Sequence, residues 1–168
     1  MTPFSTRSRR RSETVDPLPT ESALLRVSGI RLGLSALDID DAIEQVGRTL
    51  LEIGAVEEPY VSAMHEREKS VSTFIGEGVA IPHGTDEARK YVKRTSLVVL
   101  QYPRGVDWNG NDVRMCVGIA ANGNEQVGIL SSLARVLMEP DLAAGLREAA
   151  DAETVIRILQ SMNEESDQ

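Results

Sequence analysis

His83 is the residue of this sequence whose neighbours best suit it to chemistry. It stands in Gly76-Glu77-Gly78-Val79-Ala80-Ile81-Pro82-His83-Gly84-Thr85. Val79-Ala80-Ile81 reads as a short strand, Pro82 ends it, and Gly84 leaves the space beside the ring free of a side chain. The backbone N–H groups of Gly84 and Thr85, at the start of the next segment, could receive an anion. A neutral imidazole fixed by a hydrogen bond on one ring nitrogen is a nucleophile at the other. Phosphoryl transfer asks for little beyond in-line positioning and charge stabilisation. One histidine, a few N–H groups and a nearby hydroxyl suffice for it. A lone histidine before a glycine is more often an ordinary turn residue, so these residues alone leave both readings open.

The remaining candidates are few. Thr85 could bond an anion or cap the following turn. The second histidine, His65 in Met64-His65-Glu66-Arg67, reads as an exposed helix residue that could also approach the site from the helix end. Arg67 reads by itself as a solvated arginine near a helix end. Glu77 and Glu125 are expected at the surface. Cys116, the single cysteine, falls within an apolar run and behaves as a small buried hydrophobe rather than a nucleophile. Two histidines and one cysteine form no cluster at metal-ligand spacing, and no disulfide can close within the chain.

The elements that must position His83 follow from apolar periodicity. Gly29–Leu34 alternates apolar with small or polar residues, as a short strand does. Asp38 is a candidate N-cap, with Asp40 and Asp41 in the first helical turn. Ile39, Ala42, Ile43, Val46, Leu50 and Ile53 then recur at helical spacing, and Gly54 stops the helix. A second helix opens at Glu58-Pro59, turns Tyr60, Val61 and Met64 inward, and runs out near Lys69. Residues 70–78 read as a loop. After the polar stretch Asp86–Arg94, Ser96–Leu100 and Val113–Ala121 read as buried strands, joined by a loop or hairpin over Tyr102–Asn111. Three helices close the chain. Asn124 caps the first, whose apolar positions are Val127, Leu130, Leu133, Ala134 and Leu137. Pro140-Asp141 opens the second. Asp151 caps the third, with Val155, Ile158, Leu159 and Met162. Strands alternating with helices define an α/β fold. The expectation is a mixed, mostly parallel central sheet with helices on both faces.

Composition sets the outer limits. A chain of 168 residues supports one domain with a real core. Aromatic residues make up only 4%, so that core rests on Leu, Ile, Val, Ala and Met. Residues 1–22, rich in Ser, Thr, Arg and Pro, read as a disordered tail, and residues 23–168 as the domain. The net charge of −8 is uneven. Four arginines against three acids leave the tail at +1 and the domain at −9. An acidic body argues against nucleic acid and for a basic protein partner. No apolar run reaches the roughly 18–20 residues of a membrane span, and the arginine-rich start has no apolar core of a secretory signal. Together these give the expectation of a cytoplasmic protein without direct membrane insertion.

Gly76-Glu77-Gly78-Val79-Ala80-Ile81-Pro82-His83-Gly84-Thr85 resembles the active-site segment of phosphotransferase-system enzyme IIA domains of the mannitol/fructose class. The resemblance extends to Glu57–Val61 with Ala63-Met64, to Arg67-Glu68-Lys69, to Gln101-Tyr102-Pro103 with Gly105-Val106, and to Ile119–Ala121 with Asn124-Glu125. It covers about residues 30–160 and is closest to the mannitol branch. It implies that His83 accepts a phosphoryl group from the small carrier protein HPr. His83 then passes the group to a cysteine on the enzyme IIB domain of a sugar permease. It further implies that Arg67 lies beside the phosphohistidine, where a guanidinium can pair phosphoryl oxygens. Gly84, Thr85 and Gln126 complete the expected phosphoryl-binding set. No metal or organic cofactor is needed, and the sugar binds the membrane subunit instead of this chain. The sequence departs from the mannitol pattern at one place. Gln126 stands where those members carry a second histidine, and an amide can donate a hydrogen bond but cannot carry positive charge. The alternative function is a regulatory enzyme IIA that signals through its phosphorylation state, as nitrogen-type members do.

Overall fold

Two nearly unbroken apolar runs, Leu97–Leu100 and Met115–Ala120, demand a sheet covered on both faces, and the chain folds accordingly. The computed structural model describes residues 24–122 and 125–166, with side chains as far as residue 160. One sheet holds β1 (Leu25–Arg31), β2 (Phe74–Gly76), β3 (Val79–Ala80), β4 (Ser96–Trp108) and β5 (Asn111–Ala120). Their spatial order is β1-β4-β5-β3-β2. The expected tail at residues 1–22 and the expected cap Asn124 lie outside the described residues.

The sheet is mixed, as expected, but evenly so rather than mostly parallel. β1 runs parallel to β4 and β3 parallel to β5, whereas β4–β5 and β2–β3 are antiparallel. Two tight hairpins are the cause. Asn109 and Gly110 both adopt positive φ, 57° and 93°, and close β4 onto β5 with Trp108 opposite Asn111. Glu77 and Gly78 do the same between β2 and β3, with φ of 54° and 74°. The segment expected to be a loop over residues 70–78 therefore contains a strand. β4 also outruns its expected end. Between the pairs Gln101↔Met115 and Val106↔Val113 its register shifts. Pro103 and Gly105 sit in that bulged stretch, where a missing N–H costs no ladder bond. β1 begins earlier than expected, pairing Leu25 with Leu97 and Ile30 with Val99.

Alternation along the central strands sorts side chains to two faces. Leu97, Val99, Met115, Val117 and Ile119 join the core beneath α3 (Glu125–Leu137), α4 (Pro140–Arg147) and α5 (Ala152–Ser166). Val98, Leu100, Tyr102, Cys116 and Ala120 join the core beneath α1 (Ile39–Glu52) and α2 (Pro59–Ser70). Scarce as they are, the aromatics Trp108, Tyr60 and Tyr102 are fully buried on this second side. The caps are as the acids suggested. Asp38 accepts from the Asp41 N–H, and Asp151 accepts from both the N–H and the hydroxyl of Thr154. On α3 the buried residues are Ser132, Leu133, Val136 and Leu137. Val127 and Ala134, expected to face inward, are exposed; the inner stripe lies about one position round the helix from the expected one.

Close approach of α1 to its neighbours depends on two positions without side chains. A Cβ on Gly47 would lie 2.8 Å from Val61 of α2, and one on Gly118 of β5 would lie 2.3 Å from Val46 of α1. Gly118→Ala is therefore expected to lower stability by about 1–3 kcal/mol through overpacking, read as a shift of the urea midpoint with unchanged slope.

Candidate functional site

The path of the chain around His83 is held from both sides. β3 pairs with β5 only at Val79 and Ala80, but the contact resumes at a parallel bridge between His83 and Ile119. There the Ile119 N–H donates to the Pro82 carbonyl at 2.9 Å. Upstream, the Ile81 N–H donates to the Thr73 carbonyl at 2.9 Å. Downstream, the Gly84 N–H donates to Tyr60 Oη at 2.9 Å, and that hydroxyl donates to the Ile119 carbonyl at 2.8 Å. Tyr60 comes from α2, so one helix and one strand between them grip the histidine turn.

Within this frame the ring has one orientation. His83 is 5% exposed, and its Nδ1 lies 2.7 Å from the Ile81 carbonyl oxygen. A carbonyl only accepts, so Nδ1 carries the proton and Nε2 carries the lone pair. Among the described residues nothing hydrogen-bonds Nε2. Nor is it sealed off, since among the described residues the buried side-chain nitrogens and oxygens lacking a partner are Arg89 Nε and Arg94 Nε. Burial is the main force on the ring's titration and pushes its pKa below the ordinary histidine value. The Ile81 hydrogen bond opposes that shift, the Arg67 charge adds to it, and Glu68 and Asp86 oppose it. The product is a neutral imidazole at neutral pH, fixed in one tautomer.

Arg67, in the last turn of α2, is close enough for its charge to act on the ring, while its guanidinium donates to the Val71 carbonyl at 2.5 Å. Gly84 has a different part from the expected one. Its N–H is taken by Tyr60, and a Cβ there would lie 2.6 Å from the Tyr60 ring. The space beside His83 thus holds a phenol, and this N–H is not open to an anion. Thr85 precedes the 3-10 segment Asp86–Tyr91 and makes no side-chain cap. Gln126 sits half-buried in the first turn of α3 and makes no hydrogen bond to His83 among the described residues. His65 points elsewhere: its Nε2 lies 2.9 Å from Glu44 of α1 and its Nδ1 3.8 Å from Asp40. That contact, with Arg48, holds the Glu44 carboxyl below the usual carboxylate range. Cys116 is completely buried, and burial drives its thiol pKa far upward, away from reactivity.

Reading the sequence missed the parts played by Tyr60, Glu68 and Thr73. Tyr60 was legible only as an apolar position. Glu68 falls four residues after buried Met64 and eight after Tyr60, on the inner face of α2, and that spacing was the available signal.

A covered α/β sheet thus presents one neutral, tautomer-fixed histidine at a strand end. Comparison with known proteins gives that description a family. Residues 23–162 match the family described as "Phosphoenolpyruvate-dependent sugar phosphotransferase system, EIIA 2", and the chain belongs to it. The mannitol-specific phosphotransferase enzyme IIA component of Staphylococcus aureus is 40% identical over 139 residues, 83% of this chain and 96% of the relative. The mannitol-specific EIICBA component of Pasteurella multocida is 40% identical over 154 residues; these make up 88% of this chain and only 25% of that protein. The Escherichia coli complex of enzyme IIA for mannitol with phosphorylated enzyme IIB aligns with a TM-score of 0.76 at 35% identity, over 82% of this chain and 99% of that one.

Two outcomes are expected. Tyr60→Phe leaves the Gly84 N–H and the Ile119 carbonyl without their partner and should cost about 1–3 kcal/mol of stability, with faster hydrogen exchange at the Gly84 amide. The second concerns pH. The folded pKa of His83 lies below its unfolded value of about 6.5, so the unfolded chain takes up the proton first. The stability contribution of the neutral ring is complete above that pH and is lost as pH falls through the depressed folded value. Urea unfolding at pH 7.5 and pH 5 should show a larger drop for the wild type than for His83→Gln.

Proposed function

We propose that this chain is a cytoplasmic phosphocarrier that takes a phosphoryl group from HPr onto His83 Nε2. It passes the group to a cysteine of an enzyme IIB domain for the uptake of mannitol or a related polyol or hexose. The observation that carries the reading is the buried ring with Nδ1 tied to the Ile81 carbonyl, which leaves a neutral Nε2 as the nucleophile. In the transfer, the Nε2 lone pair forms the new bond to phosphorus as the bond from phosphorus to the donor breaks, its electron pair staying with the donor. No proton has to leave the ring. Arg67 exchanges its contact with the Val71 carbonyl for the phosphoryl oxygens, where a charge-assisted pair is strongest. Thr85, whose hydroxyl is not spent on capping, and Gln126 are the further candidates for phosphoryl contacts. Gly84 is not, because Tyr60 occupies its N–H.

Mannitol is the sugar in the names of the Staphylococcus and Pasteurella relatives, and enzyme IIB is the partner in the Escherichia complex. Ile75, Ile81, Leu130, Ala134 and Met138, together with Glu77, line a mostly apolar groove beside the histidine strand. Such a surface suits brief docking of successive partners, and the acidic body suits a basic donor. Among the described residues no helix is long and apolar enough to cross a membrane.

Incubation with phosphoenolpyruvate, enzyme I and HPr should label the wild type and leave His83→Ala unlabelled. Full labelling of His83→Ala would overturn the assignment. Arg67→Ala should slow labelling by about 100-fold, as loss of one charge-stabilising donor does. Chase of the label onto a mannitol-type enzyme IIB separates transport from regulation: a carrier that labels but transfers to no enzyme IIB is a regulator.

A further inference from the structure

We infer that Glu68 is a positioning residue for phosphoryl transfer, holding Thr73, whose carbonyl anchors the Ile81 peptide that orients the His83 ring. The inference rests on the phosphocarrier reading and adds a residue to it. Glu68 lies in the last turn of α2, next to Arg67. Its Oε2 accepts the indole Nε1–H of Trp108 at 2.9 Å, and its Oε1 accepts the Thr73 hydroxyl at 2.5 Å. The Thr73 N–H is shared between the two oxygens at 3.1 and 3.3 Å. Trp108 is fully buried and Thr73 is 3% exposed, so these donors have no water to turn to.

The chain of contacts then runs to the reacting atom. The Thr73 carbonyl accepts the Ile81 N–H, and the Ile81 carbonyl accepts His83 Nδ1–H. A carboxylate suits the first link because all its lone pairs accept. Glutamine keeps one accepting oxygen for Trp108 and the Thr73 N–H, but its NH2 can meet the Thr73 hydroxyl only as a donor, so that hydroxyl loses its charged acceptor and must turn its own proton elsewhere in a buried site. Loss of either contact frees the 71–73 connection, and the Ile81 peptide loses the anchor that sets the ring angle. The Glu68 charge also reaches the ring and opposes the effect of Arg67. One turn of α2 therefore carries a cation and an anion whose charges act on the ring in opposite senses.

The test compares the wild type with Glu68→Gln, Glu68→Asp and the exposed neighbour Glu66→Gln, using HPr phosphorylated by enzyme I. Glu68→Gln is expected to lower the turnover of His83 labelling by about 10- to 100-fold, the penalty of a misplaced reacting group, with KM for phospho-HPr unchanged. Glu68→Asp should restore part of the rate, and Glu66→Gln should match the wild type. Nitrogen NMR of the His83 ring, at a pH where every variant is folded, should show a single Nδ1–H tautomer in the wild type. In Glu68→Gln it should show a mixture. An equal labelling rate in Glu68→Gln, or a slower rate with the wild-type tautomer intact, would overturn the inference while leaving the phosphocarrier reading in place. Absence of label on the wild type would remove both.

Discussion

The hydrogen bond from His83 Nδ1–H to the Ile81 carbonyl is the contact on which the site depends. It spans two residues, yet it decides which ring nitrogen keeps its lone pair, and the local segment cannot hold it unaided. Residues 81–84 leave regular strand structure at Pro82, so their backbone groups need partners from elsewhere. They find them in Thr73, Ile119 and Tyr60. Each partner belongs to a different part of the fold, so the ring angle is a property of the packed domain.

Helix α2 contributes most to that control. Tyr60 at its start secures the turn after the histidine, and Glu68 at its end secures, through Thr73, the strand before it. Arg67 lies in the same turn as Glu68, and its charge is felt at the ring while its guanidinium donates to the Val71 carbonyl. The helix in turn is positioned by α1, whose Gly47 admits Val61 at a distance no Cβ would permit, and α1 is seated on the sheet at Gly118. A single helix thus contributes to the support of the histidine turn on both sides and to the electrostatic surroundings of its imidazole. For a phosphocarrier this is an economical arrangement, because transfer between partners requires the histidine to be ready before either one docks.

Burial of His83 serves the same end. An imidazole in water is partly protonated near its ordinary pKa and loses its lone pair to that proton. Desolvation penalises the cation, and the neighbouring guanidinium adds to the penalty. The anions Glu68 and Asp86 moderate the shift. Mostly apolar surface lies beside the site, in the groove between the histidine strand and α3.

Much of this was written in the sequence. The strand and turn around His83, the caps at Asp38 and Asp151, and the two buried central strands all follow from local pattern, because periodicity, capping and turn chemistry act over a few residues; the parts of His83 and Arg67 came from the family resemblance. The hairpin at Glu77-Gly78, the run of β4 through Pro103 and Gly105, and the even balance of parallel and antiparallel pairs did not. They depend on register between segments far apart in the chain, which no local window contains. The same limit explains Gly84. Its missing side chain was legible as space beside the ring, but only the tertiary structure fills that space with the Tyr60 phenol and takes the N–H with its hydroxyl. The sequence determined where along the chain the candidate imidazole stands and what turn presents it. Packing decided which nitrogen is free and what holds it, because hydrogen-bond partners 24 and 59 positions apart meet only once the layers have closed.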